Sequence, residues 1–78
     1  MNQIEKTEII TGLIATVKSR LVAKIFLEEK KTNPNKDFIK DNIKEIKEIE
    51  VLSKYFYEKL EVSDQEYETI LKKIKEYE

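Results

Sequence analysis

Apolar residues return every three or four positions along most of the chain, and that spacing predicts helices and no strands. The densest stretch is Ile9–Leu27, with twelve apolar residues in nineteen and only Lys18, Arg20 and Lys24 charged. At roughly 100° per residue, Ile10, Leu13, Ile14, Val17, Leu21 and Ile25 fall within an arc of about 120°, wide enough to sit on a core. A second flank is unusual. Thr11, Ala15, Ser19 and Ala23 form a ridge of small side chains, with Gly12 and Thr16 beside it and Val22 and Phe26 along it. Ridges spaced by four residues are what helix pairs interdigitate, whereas a flank facing water would carry Glu and Lys. The first helix thus has two stripes that each need cover, and the chain offers one other long helix. Gly12, Ala15, Ser19, Val22, Ala23 and Phe26 are therefore expected to meet a second copy; the alternative is that both stripes pack within one chain.

The elements that follow are read from their ends. Helix 1 is expected over about residues 3–30, with Glu5 and Glu8 suiting its positive N-terminal end. Thr32-Asn33-Pro34-Asn35 breaks it, because proline disfavours helix in the residue before it and asparagine caps the next. A connection this short makes helices 1 and 2 antiparallel neighbours. Helix 2, about residues 35–61, lines up Ile39, Asn42, Ile46, Ile49, Ser53, Phe56 and Leu60, with Ile43 and Tyr57 flanking. Asn42 and Ser53 either fix register inside this seam or lie at its wet edge. Helix 3, about residues 63–77, has the clearest start. Ser63-Asp64-Gln65-Glu66 fits the capping box, and Val62 with Tyr67 fits the hydrophobic staple. Its apolar set is Tyr67, Ile70, Leu71 and Ile74, with Tyr77 as a further candidate, and it is expected to lie across the hairpin.

The predicted fold is all-α: a long antiparallel helical hairpin plus a short third helix, one domain over residues 1–78, self-associating. Size supports the last point. In 78 residues, apolar burial and ordering entropy nearly cancel, and small folds close the gap with disulfides, metals or association. There is no Cys and no His, so disulfides, thiolate sites and the commonest metal ligand and general base are missing. Association is the device that remains.

Charge excludes little by its total, −1, but it is unevenly spread. Residues 1–27 carry four bases against two acids, and residues 63–78 three bases against five acids. Three cations near the middle of Ile9–Leu27 argue against a membrane span, and two acids before it argue against a signal peptide. A cytoplasmic protein is expected. A DNA-reading helix 3 would carry net −2, the wrong sign for phosphate contacts. Catalysis finds no His, no Cys and one glycine, so no enzyme and no cofactor are expected.

Two clusters remain as candidates for binding. Lys18, Arg20 and Lys24 have no acid within their run, and across a symmetry axis they could hold a small anionic ligand such as a nucleotide. Otherwise they pair with helix 2 acids such as Asp41, Glu45 or Glu48. The second cluster is Val51, Leu52 and Tyr55, which the spacing places outside the seam together with Val62. Tyrosine among aliphatic neighbours is the composition of a protein-binding hot spot, or else a cradle for helix 3. The expected function is a small non-enzymatic regulator or inhibitor acting by protein–protein interaction as a homo-oligomer, of a kind that phages and other mobile elements encode. Anion sequestration and DNA binding are the alternatives.

Overall fold

A computed structural model describes residues 2–59 and 61–77, and its three helices are α1 (Gln3–Glu29), α2 (Lys36–Glu58) and α3 (Asp64–Lys75). Each begins on a side chain that satisfies an otherwise orphan amide. Asn2 accepts from the Glu5 N–H at 2.8 Å, Asn35 from Phe38 N–H at 3.1 Å, and Ser63 from Glu66 N–H at 3.1 Å. Ser63 caps α3 as the capping box requires, and Asn35 is the asparagine that caps α2.

Two cross-helix contacts set the hairpin register. Lys18 Nζ lies 3.4 Å from Glu50 Oε1. Seven residues back along α1, Thr11 shares a hydrogen bond with Tyr57, seven residues on along α2. The helices are therefore antiparallel, and these two contacts mark one common side of the hairpin. The whole is an elongated body, 48 × 18 × 16 Å.

The third helix takes the other side. It begins beside Lys6, whose ammonium is 2.9 Å from Asp64, and ends where the Tyr77 hydroxyl donates to Glu48 at 2.6 Å. Glu48 is level with Arg20 in the hairpin register, so α3 runs along the first half of α1, parallel to it, and does not cross the hairpin. Its closest packing is against α1.

That placement decides where the core is. The buried apolar side chains are Ile10, Ile14, Val17 and Leu21 of α1, Ile49 and Phe56 of α2, and Val62, Tyr67, Ile70 and Ile74 at and within α3. All lie where three helices meet. Between residues 22 and 48 no apolar side chain is buried, and the buried residues there are Glu28 and Asn42. Two helices alone cannot enclose a dry interior.

Asn42 sits inside the seam, 6% exposed, and its amide donates to the Phe38 carbonyl one turn back, at 2.8 Å. It satisfies itself within its own helix and makes no bond across to α1. Ser53 is half-buried. Glu28 accepts from the Asn35 N–H at 3.2 Å and from Lys31 Nζ at 3.1 Å, which ties the interhelix turn to the end of α1.

The end of α2 differs from the sequence expectation, three residues earlier than 61. Lys59 is already extended (φ −85, ψ 133), and the expected seam position Leu60 lies outside the described residues. The cause is tertiary. Val62 is drawn under the start of α1: its N–H donates to Gln3 Oε1 at 3.0 Å, and its carbonyl accepts from Lys6 Nζ at 2.7 Å. A continuing helix could not deliver Val62 there. Among the described residues, no helix is long and apolar enough to cross a membrane.

Candidate functional site

Because α3 leans on α1, a groove opens between α2 and α3. Val51, Leu52 and Tyr55 form one wall, Gln65, Thr69, Ile70 and Lys73 the other, around a volume of about 580 Å³. Val51 and Tyr55 are exposed and Leu52 is half-buried against the core. Helix periodicity explains the wall: Val51 and Tyr55 are one turn apart, with Leu52 on the adjoining line that leads into the core. The fourth residue expected in this cluster, Val62, is instead buried as half of the staple with Tyr67.

One end of the groove is closed by charge. Lys59 Nζ lies 2.5 Å from Glu66 Oε2 and 4.7 Å from the centre of the Tyr55 ring. The Glu66 carboxyl is held below the usual carboxylate range, first by the Lys59 hydrogen bond and then by its contacts with Ser63. The same bond to Glu66, helped by Tyr55, raises the Lys59 ammonium above its ordinary value. Lys59 thus links the Tyr55 ring of α2 to Glu66 in the first turn of α3. Neither Lys59 nor the α3 wall was singled out from sequence; the spacing of Gln65, Thr69 and Lys73 as one helix line was the available signal.

The three cations of the central run are not brought together. Lys18 is on the Glu50 side of the hairpin. Arg20 and Lys24 are exposed, roughly 160° and 120° around α1 from Lys18, on the side that α3 occupies further back. In the hairpin register Arg20 stands level with Glu48 and Lys24 with Lys44, next to Glu45; the charges of Glu48 and Glu45 also act on Tyr77. Those acids oppose an anion there. Among the described residues, no group of three or more acidic side chains is placed to hold a metal ion.

The residues expected at an oligomer interface, Gly12, Ala15, Ser19, Val22, Ala23 and Phe26, are all exposed in the single chain, Val22 at 54% and Phe26 at 56%. A side chain added at Gly12 would meet open space. Among the described residues, 36–59 and 61–77 leave this flank uncovered. Comparison with known protein families, curated proteins and solved structures gives no match to the chain.

Proposed function

We propose that this chain is a small helical binding protein that regulates or inhibits another protein by docking to it, and that it does so as a homo-oligomer. The observation that carries the reading is the groove between α2 and α3, where Val51 and Tyr55 are exposed and Leu52 is half-buried beside them. An aromatic side chain beside aliphatic ones, rimmed by Lys73, Glu66 and Lys59, is the make-up of a hot spot with a polar margin. A helix with one or two apolar anchors, spaced to match Val51 and Tyr55, fits a groove of this kind. The long exposed flank of the hairpin supports association of the chain with itself.

The experiment compares proteins retained from the native host by the wild type and by Val51→Asp and Tyr55→Ala. Both residues are exposed, so both variants should keep their helical circular dichroism. A partner held by the wild type should be lost from both. The same partner retained by both variants would contradict the groove as the docking site.

A further inference from the structure

The two halves of the hairpin are held by different means. Beside α3, Val17 and Leu21 are packed into the core with Ile49 and Phe56, and the Tyr77 hydroxyl fastens Glu48. Beyond Leu21 and Ile49 the buried residues are Glu28 and Asn42, both polar. They are the two ends of one hydrogen-bond chain. Glu28 Oε2 accepts from the Asn35 N–H, Asn35 Oδ1 accepts from the Phe38 N–H, and the Phe38 carbonyl accepts from the Asn42 amide. Among the described residues, the Glu28–Asn35 bond is the one hydrogen bond or ion pair that joins residues 22–30 to residues 35–47.

Neither helical segment of this half holds its shape unaided. It contains about two turns of α1 and about three of α2, and helices shorter than about 12 residues are marginal in water unless something packs on them. Glu28 and Glu29 sit at the negative end of the α1 dipole, where the last turn has no basic residue to offset them. Asp37, Asp41 and Asn42 are weak helix formers at the start of α2.

We infer that residues 22–47 form a unit that unfolds and refolds while the three-helix half stays folded, with Glu28 as the latch that keeps it shut. Few buried apolar contacts are what lets one part of a fold open by itself. One Glu28 oxygen holds the turn through Lys31 at 3.1 Å, and the other holds the cap of α2 through Asn35 at 3.2 Å, so losing the carboxylate releases both. Opening bares the half-buried Ile25, Ile39 and Ile46 and leaves the α2–α3 groove, which starts at Val51, as it was. The device goes beyond the proposed docking and does not depend on it.

The test is native-state hydrogen exchange of the full chain at low concentration, read residue by residue in mild denaturant. Amides of residues 22–29 and 39–47 should exchange as one group. Their denaturant dependence should be shallower than that of residues 10–20, 52–58 and 67–74, because the local opening exposes less surface than global unfolding. Glu28→Ala should speed the group about tenfold, by stranding the Asn35 N–H, while the core amides stay the slower set. Ser63→Ala weakens the half that stays folded, so it should speed the core amides several-fold and leave residues 22–29 and 39–47 at their wild-type rates. A group that answers to Ser63→Ala as the core does would show a single cooperative unit and overturn the inference. A Glu28→Ala chain that unfolds as a whole, or exchanges at the wild-type rate in residues 22–29 and 39–47, would overturn the latch.

Discussion

Lys6 reaches out of α1 to donate a 2.7 Å hydrogen bond to the backbone carbonyl of Val62, fifty-six residues later. The lysine is 6% exposed, and Val62 is buried beneath it. Gln3 holds the N–H of the same residue, so α1 satisfies both backbone groups of Val62 at the place where the chain turns into α3. Buried backbone polar groups demand partners, and here two side chains of α1 supply them.

Lys6→Ala should therefore destabilise the fold by roughly 1–3 kcal/mol, the cost of leaving a buried carbonyl unpaired. Asp64, on the solvent side of the same ammonium, should matter far less. Chemical denaturation of Lys6→Ala and Asp64→Asn would measure the contrast; equal effects would assign the stabilisation to the surface ion pair.

The cap of α3 should be worth about 0.5–2 kcal/mol, so Ser63→Ala should lower stability by that amount. Because α3 is one of the three walls of the core, the loss should appear in the global unfolding transition. A separate early transition confined to α3 would show instead that the hairpin stands without it.

Much of this was legible in the residues, and what was not has identifiable causes. Ser63, Glu66, Val62 and Tyr67 announce the start of α3 because capping chemistry is local. Proline and asparagine announce the hairpin turn for the same reason. The end of α2 was not legible, since helical spacing runs on through Lys59 and the helix stops because Gln3 and Lys6, far away in sequence, hold Val62. Lys6 itself, between Glu5 and Thr7, reads as an ordinary surface lysine. Val51, Leu52 and Tyr55 were legible as a cluster outside the seam, but the opposite wall of their groove depends on which way α3 runs. The exposed flank of α1 was legible from its small and apolar residues, and its α2 half follows from the Lys18–Glu50 register.

Asn42 lies in the seam and gives its hydrogen bond to its own helix, so Asn42→Leu removes a buried amide without stranding a partner on α1. The variant should be more stable, by about 1 kcal/mol. A polar seam residue can hold an assembly to one state, and the variant should also populate larger oligomers. Thermal melting and sedimentation of the variant would check both effects; a less stable Asn42→Leu would show that the amide contributes more than its local bond.

Stability should fall at both ends of the pH scale. The carboxyls of Glu28, Asp64 and Glu66 are lowered by hydrogen bonds from the Asn35 N–H, Lys6 and Lys59 respectively. Groups bound more acidic in the folded state stabilise it above the ordinary carboxylate range and lose that contribution as pH falls through it. At the alkaline end the Tyr77 hydroxyl is pushed up to about 12, first by its hydrogen bond to Glu48, then by burial and neighbouring acids. Its contribution is complete below the ordinary value of 10.0 and is lost as pH rises from there toward 12. Lys59, also raised, adds to the alkaline loss. Tyr77→Phe should be less stable at neutral pH and show a shallower alkaline decline, as thermal melts across the pH range would record. An unchanged alkaline slope would contradict the Tyr77–Glu48 bond as its source.

Amide hydrogen exchange along the hairpin, followed through a dilution series, tests most directly whether the half of the hairpin beyond α3 is covered from outside. Amides of residues 22–29 and 36–45 should be protected at high concentration and lose protection on dilution, while those of residues 10–20, backed by α3, keep theirs. Protection of residues 22–45 equal to that of residues 10–20, and indifferent to dilution, would show that two helices suffice there and that the flank needs no second copy.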